Sequence, residues 1–292
     1  MTATIGTTGS SVTPRAFELR PVTVIARKVV GEASRDRWFW LYCAGFAVLA
    51  GAITVTAVPD QGLIGSGGFG RTAASLVALV QLVVPLMALT LGARYLAGER
   101  DSGTLVFLLC HPISRAEVLV GTYVGLAGSM FAAVATGFGA AGLFSFLRSA
   151  PTDPVLLICL AALSWLLSLA MLGLGLLISS TVRSTSTALG TALFVWLAVV
   201  FLGDLGVMGT VVATRLPVGA LFATVMTNPV EAFRLASVMA LDGSLDALGP
   251  AGTYAVDRFG DGIATIALGV MVAWTLVTGA AAVLAFRRGD QT

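Results

Sequence analysis

Few side chains of this 292-residue chain could carry out chemistry, and they are scattered. His111 is the single histidine, and the three cysteines (Cys43, Cys110, Cys159) lie in or beside apolar runs without CxxC spacing. Because a metal centre needs clustered ligands, no metal site and no HExxH hydrolase is expected. Lys28 is the single lysine and the GxxxxGK[ST] pattern is absent, so the chain cannot hold nucleotide phosphates through a P-loop of its own. These residues predict a non-catalytic chain without its own cofactor.

Thioether sulfur is a soft ligand for copper, so the methionines are a second group to consider. The eight are spread over nearly every segment: Met1, Met87, Met130, Met171, Met208, Met226, Met239 and Met271. Three of them, Met208, Met226 and Met239, lie toward one side of the expected membrane. Ordinary packing is the favoured interpretation of this pattern, and copper binding is the alternative.

Asp204, in the sequence FLGDLG, is the one carboxylate that we expect at membrane depth. An intramembrane aspartyl protease would need a second aspartate within a span, so this activity is not expected. A buried carboxylate in the bilayer is costly unless it is paired, which favours a functional or partnered group. The alternative is that Asp204 extends toward the outer headgroups.

The surroundings of these residues are those of a membrane protein. The chain is 57% hydrophobic and only 11% charged, with a mean hydropathy of +0.94. A soluble domain carries about 25% charged residues because its surface faces water. We therefore predict an all-α polytopic membrane protein, with six runs near or above the roughly 20 residues that cross the hydrocarbon core. The six runs are 38–58, 72–97, 118–147, 155–182, 184–212 and 263–286. The fourth and fifth runs are separated by a tight turn at Arg183.

The basic residues predict the orientation, because Lys and Arg accumulate on the cytoplasmic side. With the N-terminus inside, the inner side holds Arg15, Arg20, Arg27, Lys28, Arg35, Arg37, Arg94, Arg100, Arg115, Arg183, Arg287 and Arg288. The outer side holds only Arg71, Arg148, Arg215, Arg234 and Arg258. Both termini are therefore expected in the cytoplasm, with the chain in the bacterial inner membrane.

Two further segments lie outside the six runs. Residues 16–37 mix apolar positions with Arg, Lys and Glu, which favours an amphipathic helix on the inner membrane surface over a solvated anchor. Residues 213–262 form a long outer segment, in which Asn228 can cap a short helix that starts at Pro229. Its apolar side (Val230, Phe233, Leu235, Val238, Met239) predicts burial in the membrane interface or against a partner.

The inner loop 98–117 contains the most informative pattern. Three charges, Glu99, Arg100 and Asp101, stand at the membrane rim, where they could pair across an interface. Gly103 can end a helix in the left-handed conformation, and Glu117 falls in the first turn of the next helix. A polar loop that only keeps the spans in place would show the same composition.

The order of residues in this loop resembles the permeases of type-2 ABC exporters. The matching pattern is Glu99, Ser102, Gly103, Thr104, Leu105, then Leu108 and Leu109, then Pro112, Ser114 and Arg115. The resemblance implies that residues 98–117 form a coupling helix that binds a cytoplasmic ATPase, through Glu99, Arg100, Asp101, Ser102, Gly103 and Thr104. ATP and Mg would be bound by that ATPase.

The outer segment resembles the NosY-type permeases of the transporter that matures nitrous oxide reductase. The resemblance rests on Asn228-Pro229, Phe233-Arg234-Leu235 and Leu248-Gly249-Pro250-Ala251-Gly252. It implies a homodimer with two ATPases and a periplasmic solenoid (β-helix) protein that serves the copper–sulfur centre of the reductase. The residues implied in contact with this partner, or in a gate, are Asn228, Pro229, Glu231, Arg234, Gly249 and Pro250.

The function that we expect is coupling of ATP hydrolysis to transport, or to mechanical work on the periplasmic partner. Two alternatives stay open: a generic type-2 exporter of a lipid, drug or peptide, and an ATP-independent membrane scaffold. The remaining partner is the lipid bilayer, and no nucleic acid is expected.

Overall fold

The computed structural model describes residues 19–56, 67–104, 113–148, 153–213, 226–241 and 262–288, with the backbone alone at 67–71 and 202–213. These residues form helices and no strands. In chain order they are α1 (Leu19–Arg35), α2 (Arg37–Thr56), α3 (Gly67–Asp101), α4 (Arg115–Leu147), α5 (Pro154–Thr181), α6 (Thr185–Ala213), α7 (Pro229–Ala240) and α8 (Gly262–Arg288). The predicted all-α fold is confirmed.

Five helices of the described part are long and apolar enough to cross a membrane: α2, α3 from Thr72, α4, α5 and α8. They correspond to predicted runs one to four and six, with ends that differ by a few residues. The fifth run is helical over Thr185–Ala213, and its described side chains, through Phe201, form a shorter apolar helix. The described helices therefore support five of the six predicted spans, and the remaining one stays a prediction.

Helix α5 lies at the centre of the bundle, in contact with α3, α4, α7 and α8. Its contact with α3 is close because glycines face each other. A Cβ added to Gly175 would lie 2.6 Å from the carbonyl oxygen of Leu89, and one added to Gly92 would lie 2.8 Å from that of Leu172. Backbones approach this closely only where side chains are absent, which is how membrane helices commonly pack.

Helix α1 is the amphipathic helix that the sequence predicts. Val22, Ile25, Val29 and Ala33 are buried on one side, because the groove beside Gly121 and Gly125 of α4 receives that side. The opposite side exposes basic residues of the same helix: Arg20, Arg27 and Arg35. Asp36 separates α1 from α2, and its carboxylate accepts a hydrogen bond from the amide of Trp38 at 3.0 Å.

Candidate functional site

The end of α3 has the backbone geometry that the loop pattern predicts. The amide of Ser102 donates a hydrogen bond to the carbonyl oxygen of Gly98 at 3.0 Å. The amide of Gly103 donates to the carbonyl oxygen of Arg100 at 3.1 Å. Gly103 has a φ of +73°, a left-handed conformation that costs glycine little. Ser102 and Thr104 are exposed at this end. The prediction that Gly103 ends a helix in this conformation is confirmed.

Arg100 binds the end of another helix instead of standing free. One guanidinium nitrogen donates to the carbonyl oxygens of Ser179, at 3.2 Å, and of Val182, at 2.6 Å. Ser179 lies in the last turn of α5 and Val182 caps that end, where the carbonyls lack intrahelical partners and carry partial negative charge. Nearby, the hydroxyl of Ser179 accepts a hydrogen bond from the amide of Ala97 at 2.8 Å. The cation therefore fixes the end of α5 to the end of α3.

Asp101 binds the start of the next helix in a matching way. Its carboxylate accepts hydrogen bonds from the amide of Thr185, at 2.8 Å, and from the Thr185 hydroxyl, at 2.6 Å. A carboxylate at a helix N-terminus interacts favourably with the free amides and the helix dipole. Arg100 and Asp101 together hold both sides of the turn 182–184, in which Arg183 is exposed. We name this arrangement the turn clamp.

Glu99 connects the same loop to α1. Its carboxylate accepts a hydrogen bond from the ammonium group of Lys28 at 3.1 Å and another from the hydroxyl of Thr104. Lys28 also pairs with Glu32 at 3.3 Å, and Glu32 accepts a hydrogen bond from the Tyr95 hydroxyl at 2.8 Å. Burial by itself would lower the pKa of Lys28, but the hydrogen bond and charge of Glu99, with Glu32, raise that pKa above its usual value.

These contacts change the expectation for the three charges. The sequence left Glu99, Arg100 and Asp101 available to a partner, whereas the structure pairs each of them within the chain. The partners that the sequence did not indicate are Lys28, which lies 71 residues from Glu99, and Thr185, which lies 84 residues from Asp101. The crevice between α1, α3 and α4 beside Lys28 and Glu99 has a volume of about 10 Å³. A space of this size holds at most one water molecule, so it is no ligand site.

The far end of the loop, where α4 begins, is also described. Ser114 and Glu117 form a capping box: the amide of Ser114 donates to the Glu117 carboxylate at 2.8 Å, and the amide of Glu117 donates to the Ser114 hydroxyl at 3.2 Å. The predicted place of Glu117 in the first helical turn is confirmed. Leu105, Leu108, Leu109, His111 and Pro112 lie outside the described residues.

The short helix α7 begins as predicted, but deep inside the bundle. Asn228 accepts a hydrogen bond from the amide of Val230 at 2.9 Å, and Pro229 is the first helical residue. The Asn228 amide group donates to the carbonyl oxygen of Val199 at 2.7 Å, halfway along α6. The indole of Trp274, halfway along α8, donates to the carbonyl oxygen of Thr227 at 2.9 Å. The start of α7 therefore lies at the level of the middle of two long helices.

Glu231 belongs to the interior of the bundle. Its side chain is 7% exposed, and Arg234, whose side chain is 38% exposed, lies 3.9 Å away on the same face of α7. We expected Glu231 on the acidic outer side and Asp204 as the one carboxylate at membrane depth; both stay predictions, but the burial of Glu231 within the bundle was not predicted. Sequence analysis missed it because the 12 residues of α7 are too few to span a membrane.

The other predicted site residues are only partly described. The backbone of Asp204 lies in α6, and its side chain is outside the described part, as are Gly249 and Pro250. Within the described residues, no group of three His, Cys, Asp or Glu side chains is arranged to hold a metal ion. The described residues therefore support the positioning of helices at the loop 98–117, together with a charge pair in α7 of which Glu231 is buried.

Comparison with known proteins agrees with the resemblance of the loop. The sequence profile of the family described as ABC-2 family transporter protein matches residues 23–291. The chain is similar to the probable ABC transporter permease protein NosY of Stutzerimonas stutzeri, with 31% identity over 237 residues, 77% of this chain and 84% of that protein. It is also similar to the protein of the same name from Pseudomonas aeruginosa, with 30% identity over 229 residues. The match covers 76% of this chain and 83% of that protein. The chain therefore belongs to the ABC-2 family of transporter proteins and is a multi-pass membrane permease subunit similar to NosY.

Proposed function

We propose that this permease couples ATP hydrolysis by separate cytoplasmic ATPase subunits to movement of its helices, through the loop 98–117. The observation that carries the proposal is the set of contacts at the end of α3. The loop is tied to α1 through Glu99 and Lys28, and to α5 and α6 through the turn clamp. A force applied to the exposed residues Ser102 and Thr104 would therefore act on four helices together.

The assembly that we propose is a homodimer in the inner membrane with both termini in the cytoplasm. Two ATPases would bind ATP and Mg and would contact the loop 98–117 of each copy. The NosY relatives support a narrower proposal, in which the movement serves a periplasmic solenoid protein and the copper-site maturation of nitrous oxide reductase. The burial of Glu231 and the deep start of α7 support a gate at Asn228, Pro229, Glu231 and Arg234. Contact with a periplasmic partner is proposed for the segment that includes Gly249 and Pro250.

Co-purification tests the assembly. The tagged protein is isolated from its native membrane in mild detergent, and the proteins bound to it are identified. An ATPase together with a periplasmic repeat protein is the expected result. An ATPase alone would favour a generic exporter of a lipid, drug or peptide. Absence of an ATPase, under conditions that preserve another ABC transporter of the same membrane, would contradict ATP coupling and favour the membrane scaffold.

Charge reversal at Glu99 tests the role of the loop. Glu99→Arg places a second cation beside Lys28 and removes the carboxylate that accepts a hydrogen bond from the Thr104 hydroxyl. We expect the variant to insert normally and to lose ATPase association. Asp153→Arg makes the same charge change at the exposed N-terminus of α5, away from the loop, and should keep association.

The double variant Glu99→Arg with Lys28→Glu separates two ways in which Glu99 could act. Restored association would show that the pair maintains the shape of the loop. Continued loss would place the Glu99 carboxylate in direct contact with the ATPase. If Glu99→Arg alone keeps wild-type association, loop 98–117 is not the coupling site.

A further inference from the structure

Helix α1 runs at an incline across the end of the bundle that carries the loop 98–117. Lys28 of α1 bonds to Glu99 of α3 at 3.1 Å, and Asp36, directly after α1, forms an ion pair with Arg94 of α3. Eight residues separate Lys28 from Asp36, which is about 12 Å along α1, but only five separate Glu99 from Arg94, which is about 7.5 Å along α3. Helix α1 therefore changes depth in the membrane more slowly than the spanning helix α3.

Two exposed tryptophans place the end of α1 at the membrane surface. Trp38 and Trp40, at the start of α2, are each more than half exposed. Tryptophan is enriched at the boundary between the hydrocarbon core and water, where its ring lies among the headgroups. The indole of Trp40 donates a hydrogen bond to the carbonyl oxygen of Ser34, in the last turn of α1, at 2.8 Å. The last turn of α1 therefore lies at the level of the lipid headgroups.

Three exposed arginines share one side of α1, and we name this surface the arginine side: Arg20, Arg27 and Arg35. At about 100° per residue, the three lie within about 80° of one another, and Val29, which packs on α4, lies opposite Arg20. Leu19 and Val30, both exposed, lie on the flank between the arginine side and the buried side. Lys28 lies on the other flank, where it reaches the loop. An apolar flank beside a basic side is typical of a helix in the membrane interface.

The arginine side lacks a counterion within the described part of the chain. The acidic residues in α1 and directly after it are already paired, Glu32 with Lys28 at 3.3 Å and Asp36 with Arg94. Among the described residues, none of the three guanidinium groups on this side makes an ion pair. The groups of opposite charge at headgroup level are the phosphates of lipids, which guanidinium groups bind through two parallel hydrogen bonds. The charge of this surface is therefore complementary to an anionic membrane surface.

We propose that the arginine side of α1 binds the phosphate groups of anionic phospholipids, and that these lipids hold α1 and the loop 98–117 in place. Each basic residue near an anionic membrane surface strengthens binding by about fivefold. Lys28 transmits the effect, because its ammonium group joins α1 to Glu99 at the start of the loop. The proposal goes beyond the coupling function, and it holds whether or not an ATPase binds the loop.

Amide hydrogen exchange of the detergent-purified full chain, measured at residues 19–35 and 98–104, tests this binding. Phosphatidylglycerol, or phosphatidylcholine in a parallel series, is titrated into the micelles. We expect phosphatidylglycerol to slow exchange in both segments at a concentration at least about tenfold lower than phosphatidylcholine. Arg20→Gln combined with Arg27→Gln should raise the required phosphatidylglycerol concentration at least about tenfold. Arg20→Lys combined with Arg27→Lys keeps both charges and should retain most of the response.

The matched control is Arg287→Gln combined with Arg288→Gln, which removes the same charge from the exposed last turn of α8 and should keep the response. The proposal is overturned if the two lipids slow exchange equally, or if the double glutamine variant of α1 responds like wild type. In the second case, loss of ATPase co-purification by the same variant would assign the arginine side to a protein contact. Exchange is measured without an ATPase, so either failure leaves the coupling proposal to the Glu99→Arg test.

Discussion

Replacing Gly175 with alanine should force α3 and α5 apart where their backbones are closest. The new Cβ would lie 2.6 Å from the Leu89 carbonyl oxygen and 3.0 Å from the Ala93 nitrogen. Ordinary contact begins near 3.4 Å, so the two helices would have to separate by about 0.8 Å. The neighbouring atoms are backbone, which cannot rotate away as the end of a side chain can.

The size of the effect is the difference of two opposing terms. Overpacking of a close contact costs about 1–3 kcal/mol, whereas exchange of glycine for alanine within a helix gains up to about 1 kcal/mol. The expected net loss is about 1–2 kcal/mol, equivalent to a fall of about 2–6 °C in the unfolding midpoint. Because α3 leads into the loop 98–117, which we propose as the coupling site, the same separation should also lower ATPase activity in a complex purified with the proposed ATPase.

Thermal unfolding of the detergent-purified protein, at one scan rate for all variants, measures the loss of stability. The control is Gly139→Ala on α4, where a Cβ meets nothing within 4 Å and the helix gains the same propensity. The control should unfold at the wild-type temperature or slightly above it. If the two variants have the same midpoint, the close packing of α3 on α5 is not what stabilises the bundle, and the reasoning fails.

Two further predictions concern the helix ends. Arg100→Ala removes both hydrogen bonds to the end of α5 and should destabilise the part-buried turn by about 1–3 kcal/mol, seen as faster amide exchange at 182–184. Arg183→Ala, in the exposed turn itself, should leave that exchange unchanged, and equal exchange in the two variants would contradict the clamp. Asn228→Ala should lower stability by about 1 kcal/mol through the lost cap, and further through the lost bond to Val199. Asn228→Ser keeps a cap oxygen, so it should lie between wild type and alanine in thermal unfolding, and a midpoint equal to that of alanine would argue against the cap.

Local features of the fold were predictable from the sequence because they depend on neighbouring residues. Long apolar runs predict spans, since every backbone polar group in lipid must be paired within a helix. The left-handed Gly103, the cap at Asn228 and the place of Glu117 in the first turn of α4 depend on residues within one turn. The predicted span boundaries are accordingly close to the ends of the helices.

Partners distant along the chain were decided by tertiary structure. Glu99 and Asp101 were recognised as important, but their contacts with Lys28 and Thr185 exist only because α1 and α6 pack beside the end of α3. A pattern of charges in a loop is compatible with an internal partner or an external one. Only the arrangement of the helices distinguishes the two.

The sequence by itself determined that this chain is an all-helical membrane permease, with a polar loop after its second predicted span that we propose as the coupling site. It did not determine how deeply α7 lies within the bundle, because a helix of 12 residues is too short to span and could equally lie on the surface of the bundle. The packing of α7 against α5 and α8 decided that question, and with it the burial of Glu231. Depth is a property of the whole bundle, since it depends on which helices surround a segment and not on the segment's own composition.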